Sequence, residues 1–302
     1  MNYEEITLKS RDGYSLSLHV FEAPVPKAVI KFIHGMEEHQ GRYIPFAGYL
    51  QEHGYTVVTA DLRGHGKTAP VLSHIADHNG AKLLIEDEET ILAWIKERYP
   101  NVPVHLFGHS MGTIIARKLL KTHSGDFSKV ALSGYPNPQP AARVGAILAG
   151  QIASIRKARG HSRMIDNMVL GGFAKAVKNA DSPLDWLSVS RENVRAYAQD
   201  PLCGVPFTLG SYDALFRLIT DISQPNQYQN VKADLPILMI AGSEDPCVGG
   251  EKGKAASLDC MTRAGFRNIQ VETLKGMRHE ILNEEEKEMV YQKLLDFYDQ
   301  HS

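Results

Sequence analysis

The chain has 302 residues, 43% hydrophobic and 23% charged, with a formal net charge of -2. That size and balance suit one large α/β domain or two smaller ones with a substantial core. So small a net charge gives no global attraction to nucleic acid or to an anionic membrane. The three cysteines, Cys203, Cys247 and Cys260, show no paired metal-ligand spacing, and an odd count argues against a disulfide framework. Met1-Asn2-Tyr3-Glu4-Glu5 has no basic stretch leading into an apolar one. No apolar run reaches the ~18 residues that a membrane helix needs. A cytoplasmic protein is the expectation.

Residues 3 to 23 alternate polar and apolar around Arg11-Asp12-Gly13, which predicts an antiparallel hairpin. Ala28 to Ile33 reads as a strand buried on both faces and ends in His34-Gly35-Met36. A helix is expected over Tyr43 to His53, stopped by Gly54. The strand Tyr55 to Ala60 runs into Asp61-Leu62-Arg63-Gly64-His65-Gly66. Leu84, Ile91, Leu92, Ile95 and Tyr99 share one helical face, ended by Pro100. Val104 to Ala116 predicts a strand, a sharp turn and a helix start, and Lys129 to Gly134 is one more strand. Strands alternating with helices at this spacing imply a mostly parallel sheet covered on both faces.

After Tyr135 the rhythm changes. Pro136-Asn137-Pro138-Gln139-Pro140 breaks the chain, and no strand-like run follows until Leu235 to Ile240. The interval is helical in character, with Val144, Ile147, Leu148, Ile152 and Ile155 on one face. Residues 136-206 therefore read as a helical cap inserted into a core of residues 1-135 and 207-302, with ordinary core helix throughout as the alternative. Asp213 to Ile222 is expected as a core helix. The α/β rhythm then resumes with a helix from Gly250 to Ala264, a strand from Ile269 to Leu274 and a closing helix from Glu284 to Tyr298 capped by Asn283.

Gly108-His109-Ser110-Met111-Gly112 is the Gly-x-Ser-x-Gly pattern of a nucleophile elbow. Glycines flank the serine because the turn is too tight for a Cβ on either side. A serine hydroxyl needs a base and a group that orients the base. In an open α/β sheet such groups collect beyond the carboxyl ends of the strands. Beyond the strand ending at Ala241, the acid candidates are Asp245 and Glu244. Asp245 is preferred because a residue before proline is held extended and projects outward. Beyond the strand ending near Leu274, His279 is the sole histidine. The order Ser110, Asp245, His279 is that of an α/β-hydrolase triad. Oxyanion donors are expected from the backbone N–H groups of Met111 and Met36, with Gly35 allowing close approach.

Several motifs in order carry a resemblance. His34-Gly35-x-x-Glu38-His39-x-x-Arg42-Tyr43, Asp61-x-Arg63-Gly64-His65-Gly66, the Ser110 elbow, Asp200-Pro201-Leu202, and Asp245 with His279 resemble the monoacylglycerol lipase and lysophospholipase group of α/β-hydrolases. Sequence classifications link that group to serine aminopeptidases. The resemblance implies a cap over an acyl-binding channel and supports the triad and the oxyanion hole at Met36 and Met111. Thr113 and Lys67-Thr68 depart from the usual pattern near the site.

Glu38 and Arg42 read as braces of the oxyanion loop through a charge-assisted hydrogen bond. His34, His39, His65 and His109 read as structural hydrogen-bonders, and Cys247 as a small residue near the acid loop. Arg156 to Arg163 is a basic run within the cap. It reads first as a solvated face and, alternatively, as a surface making transient contact with an anionic lipid interface. The expected activity is cofactor-independent and metal-free hydrolysis of a small-molecule ester with an apolar acyl chain, with no nucleic acid and no obligate protein partner. An amidase or aminopeptidase using the same residues is the alternative. A non-catalytic binding protein on the same scaffold is a third reading.

Overall fold

The computed structural model describes residues 2–137 and 157–300. The predicted apolar face from Val144 to Ile155, and Arg156, lie outside the described residues. Eight strands form one sheet: β1 (Glu4–Lys9), β2 (Ser15–Phe21), β3 (Val29–Ile33), β4 (Thr56–Ala60), β5 (Val104–His109), β6 (Lys129–Ser133), β7 (Ile237–Gly242) and β8 (Ile269–Leu274). Their spatial order is β1-β2-β4-β3-β5-β6-β7-β8. The hairpin of β1 and β2 pairs antiparallel, and β2 meets β4 antiparallel; every later pairing is parallel. This is an α/β-hydrolase fold. From β3 the chain goes to β4 on one side and then crosses to β5 on the other. The crevice beyond the carboxyl ends of β3 and β5 is thus the topological switch point where such sheets hold ligands.

Helices cover both faces. On one lie α2 (Gly80–Arg98) and α3 (Met111–His123), with Leu84, Ile91 and Ile115 buried among the odd-numbered residues of β3. On the other lies α1 (Ile44–Glu52), with Phe46 and Leu50 packed against Ile30 and Phe32. Strand alternation sends consecutive residues of β3 to opposite cores. Lys31 is the exception in polarity. It points to the α2 side, where its ammonium, 1% exposed, pairs with Glu88. Removing either partner would leave a buried charge unpaired, a loss of about 3–5 kcal/mol.

Between β6 and β7, the described residues hold no strand. They contain the short helices α4 (Arg163–Val169), α5 (Gly171–Ala176) and α6 (Arg191–Gln199), followed by α7 (Leu209–Ile222). α7 starts earlier than the expected Asp213 because Thr208 caps it, its hydroxyl accepting the Ser211 N–H. It packs on α2 and α3 as a core helix. α8 (Gly250–Arg263) and α9 (Lys287–Asp299) complete the molecule. Here the structure corrects one expectation: Asn283 does not cap the closing helix. It ends a 3-10 turn, and α9 begins at Lys287. Glu284 is drawn out of the helix because its carboxylate, 2% exposed, accepts the Ser188 hydroxyl and the amides of Val189 and Arg278. No helix among the described residues is long and apolar enough to cross a membrane.

Candidate active site

The turn between β5 and α3 is built by exclusion. A Cβ on Gly108 would lie 2.8 Å from the Gly112 carbonyl oxygen, and one on Gly112 only 2.1 Å from that of Ile33. Ser110 sits between them at φ 51°, ψ -119°, a conformation that non-glycine residues adopt only when their surroundings enforce it. Its N–H donates to the Ser133 carbonyl at 2.9 Å, tying the turn to β6. Thr113, the departure noted in the sequence, is fully buried, and its hydroxyl donates to the Ser110 carbonyl at 2.7 Å. The substitution thus adds a fastening to the turn.

Gly35 follows β3 and faces Ser110: a Cβ there would meet the Ser110 Cβ at 3.1 Å and Glu38 Oε1 at 2.6 Å. The Gly35 N–H donates to Glu38 Oε1 at 2.5 Å, and the Tyr43 hydroxyl donates to the same oxygen at 2.7 Å. Burial raises the Glu38 pKa although Arg42 pulls it down. Arg42 lies 3.6 Å from Glu38, but its fork is spent elsewhere. It grips both oxygens of Glu280 and reaches Asn193 Oδ1 at 2.8 Å. Glu38 therefore braces the loop through a backbone amide and a tyrosine, while Arg42 ties the loop to the residue after His279.

His279 and Asp245, 34 residues apart, are brought together by the loops after β8 and β7. Nδ1 of His279 lies 2.9 Å from Asp245 Oδ2, and neither side chain is more than 3% exposed. Asp245 Oδ1 accepts the Cys247 N–H at 2.9 Å. Glu244, the other acid candidate, is 54% exposed and lies beside Arg278. Burial alone would lower the His279 pKa; the charge and hydrogen bond of Asp245 outweigh it, so the net shift is upward. Burial, then Asp245, holds the Cys247 thiol well above its ordinary range.

Ser110, His279, Met36 and Met111 line one cavity of about 350 Å³. Its remaining wall is largely apolar and includes Ile114, Met168, Phe173, Trp186 and Phe216. Trp186 packs at 4.9 Å from the His279 ring and His109 at 4.7 Å. His109 and His34 are fully buried, and burial depresses both. His34 accepts the Leu62 N–H at 2.9 Å, and His39 meets Asp200 at 2.8 Å. Trp186, Asn193 and Glu280 were not singled out from sequence. Trp186, one of two tryptophans in the chain, offered a composition signal, and Glu280 adjoins the predicted base.

A family model described as "Serine aminopeptidase, S33" matches residues 24–286. The chain belongs to this S33 family. It is 26% identical over 266 residues to a monoacylglycerol lipase of Mycolicibacterium smegmatis, covering 88% of this chain and 85% of that one. It is 26% identical over 283 residues to phospholipase YtpA of Bacillus subtilis, covering 93% and 98%. Among solved structures, a thermostable carboxyl esterase from Bacillus coagulans in complex with glycerol superposes with TM-score 0.91 at 25% identity, covering 99% of this chain and 98% of that one. A lipase in an open form superposes with TM-score 0.88 at 26% identity, with the same coverage. The lipase and phospholipase resemblance seen in the motifs is thus shared by whole-chain relatives of this S33 protein.

Proposed function

We propose that this protein is a carboxylic ester hydrolase in which Ser110, His279 and Asp245 act as nucleophile, base and orienter. The observation that carries the reading is the buried Asp245–His279 hydrogen bond opening, with Ser110, into one apolar-walled cavity. Asp245 fixes the Nδ1–H tautomer, so Nε2 of His279 is the lone pair left to take the serine proton. Ser110 attacks the ester carbonyl. The Met36 and Met111 N–H groups hold the oxyanion, the latter with the positive end of the α3 dipole. The imidazolium gives that proton to the departing alcohol, leaving an acyl-enzyme, and water activated by the regenerated imidazole releases the acid.

The substrates are esters of apolar acyl chains with a small polar alcohol, such as a monoacylglycerol or a lysophospholipid. The chemistry needs neither cofactor nor metal. In this reading residues 136–206 are the lid over a core of residues 1–135 and 207–302. On α4, Met164 and Met168 are 65% and 55% exposed, and Met168 also lines the cavity. With Lys157 and Arg163 exposed nearby, this supports a transient lid contact with anionic lipid. Liposome co-sedimentation tests it; equal binding to neutral and anionic vesicles removes it.

The family description favours a second reading, an aminopeptidase. That activity needs a free carboxylate for the substrate ammonium, yet Glu280 is held by Arg42 and Glu38 by Gly35 and Tyr43. Aryl esters and matched anilides, compared across chain lengths, separate the two. Faster anilide turnover would overturn the ester assignment. Labelling by a fluorophosphonate, lost in Ser110→Ala, separates either enzyme from a non-catalytic binding protein.

A further inference from the structure

Among the described residues, two clusters each bring together three metal-capable side chains, one away from Ser110 and one that joins Cys247 to Asp245 and His279. One is His39, Asp200 and Cys203; the other is Asp245, Cys247 and His279. In each, one donor atom per residue lies within 4.8 Å of the others. The first is closed to a cation by its own hydrogen bonds. His39 Nδ1 accepts the Gly41 N–H at 3.2 Å, so the ring proton sits on Nε2, where it serves Asp200. An ion on Nε2 would force that proton onto Nδ1, against the amide.

In the second cluster the ring proton lies on the Nδ1 side, shared with Asp245, and can pass to Nε2. We propose that Asp245, Cys247 and His279 form a binding site for a thiophilic divalent cation of the zinc class, and that the bound ion switches hydrolysis off. Carboxylate, thiolate and imidazole are the ligand types such an ion prefers. Cys247 and His279 line the cavity, so the ion has a route from solvent. All three residues are buried, where an uncompensated charge would be strongly disfavoured. A charge of +2 met by one carboxylate and one thiolate sums to zero. The turn Pro246–Val248 fixes the spacing of acid and thiol, and the Cys247 N–H holds Asp245 Oδ1, leaving Oδ2 as ligand. Tetrahedral zinc keeps its N and O donors about 3.3 Å apart. The 2.9 Å contact between His279 and Asp245 need therefore open only slightly.

The proton balance explains the inhibition. The thiol proton leaves to solvent as the metal–sulfur bond forms. The ion takes the Nδ1 lone pair, and the single ring proton moves to Nε2. His279 then has no lone pair to accept the proton of Ser110. This last step rests on the triad reading; binding itself does not.

The test uses the reduced, metal-free full chain. Cadmium should give one equivalent of ultraviolet thiolate-to-metal absorption, lost in Cys247→Ser and kept in a Cys203→Ser/Cys260→Ser variant. Zinc should inhibit ester hydrolysis, reversibly by chelator, with the inhibitory concentration raised at least ~10-fold in Cys247→Ser relative to that variant's own metal-free rate. Absorption that survives Cys247→Ser, or vanishes with the other two cysteines, overturns the site. Unchanged zinc sensitivity in Cys247→Ser overturns the switch. If Cys247→Ser fails to fold, Cys247→Ala and the double variant decide it. Should the metal-free wild type hydrolyse nothing, the triad reading falls while the cadmium signal still reports on the site.

Discussion

Two regions wall the cavity, and they are held in different ways. The turn at Ser110 is fixed by backbone contacts that leave no room for a Cβ at Gly108 or Gly112. The segment between β6 and β7 contributes side chains, including Met168, Phe173 and Trp186, and is fastened by polar ties. Glu284 holds the amides at Val189 and Ser190, Arg278 holds the carbonyls of Asp185 and Ser188, and Arg42 reaches Asn193. The contrast separates two tasks. In the proposed reaction, bond-making geometry is set by backbone that cannot vary, while substrate fit is set by side chains on a segment that could. Substitutions at the turn should therefore act on kcat, and those in the segment on substrate preference.

The largest effect is expected at Ser110, the proposed nucleophile. Ser110→Ala should lower kcat for an aryl ester by about 10⁴- to 10⁶-fold with an unchanged near-ultraviolet circular dichroism spectrum. Retention of more than a hundredth of the rate would remove Ser110 from the chemistry. Asp245→Asn comes next, at about 10⁴-fold, and it carries a pH signature. His279 is raised above its ordinary 6.5. The base form, and with it kcat/KM, is therefore lost as pH falls through a value above 6.5. Without Asp245, burial dominates and the acid limb should move below 6.5. A limb that stays in place would deny Asp245 its role.

Glu38→Ala should follow at about 10- to 100-fold in kcat, somewhat less than deleting an oxyanion donor outright, since it frees the Gly35 amide rather than removing Met36. Glu38→Gln keeps an oxygen for Gly35 and Tyr43 and should restore most of the rate. Equal losses in both variants would point to the charge instead of the brace. On the other wall, Trp186→Ala should weaken turnover of long-chain esters about 10-fold, roughly 1.4 kcal/mol, and of acetyl esters much less. Uniform loss across chain lengths would place Trp186 with the imidazole it packs against.

How far the sequence reached follows the same division. The elbow was legible because its glycines are local requirements of a tight turn. The meeting of Asp245 with His279 was legible because strand ends concentrate reactive groups, and each loop offered few candidates. The helical character of the described residues between β6 and β7 was legible from the absence of strand-like runs, but their tie points were not. Asn283 looked like a helix cap because the pattern Asn-Glu-Glu-Glu fits one. The pull on Glu284 comes from Ser188 and Val189, about 95 residues away, and no local rule contains that. Arg42 and Glu280 likewise found each other across 238 residues, so the sequence could pair Arg42 only with its near neighbour Glu38.

The smallest expected effect on turnover lies at the seam between the two regions. Glu37, next to Met36, is buried, with φ 57°. Its carbonyl accepts the Tyr197 hydroxyl and the Gly204 N–H, both at 2.9 Å, and its carboxyl accepts the Phe207 N–H at 3.2 Å. Burial, with a lesser push from Asp166 on α4, raises its pKa from 4.5 to about 8 against the pull of the Phe207 amide. The folded protein thus holds this proton more tightly than the unfolded chain does. The resulting stabilisation is complete below pH 4.5 and is lost as pH rises towards 8. Glu37→Gln stays neutral and keeps an oxygen for Phe207. At pH 4 the two proteins should unfold at similar denaturant concentrations. By pH 9 the variant should be the more stable by a few kcal/mol, at about 1.4 kcal/mol per pKa unit. A gap independent of pH would mean that Glu37 does not titrate across this range, and that the seam is held by its carbonyl alone.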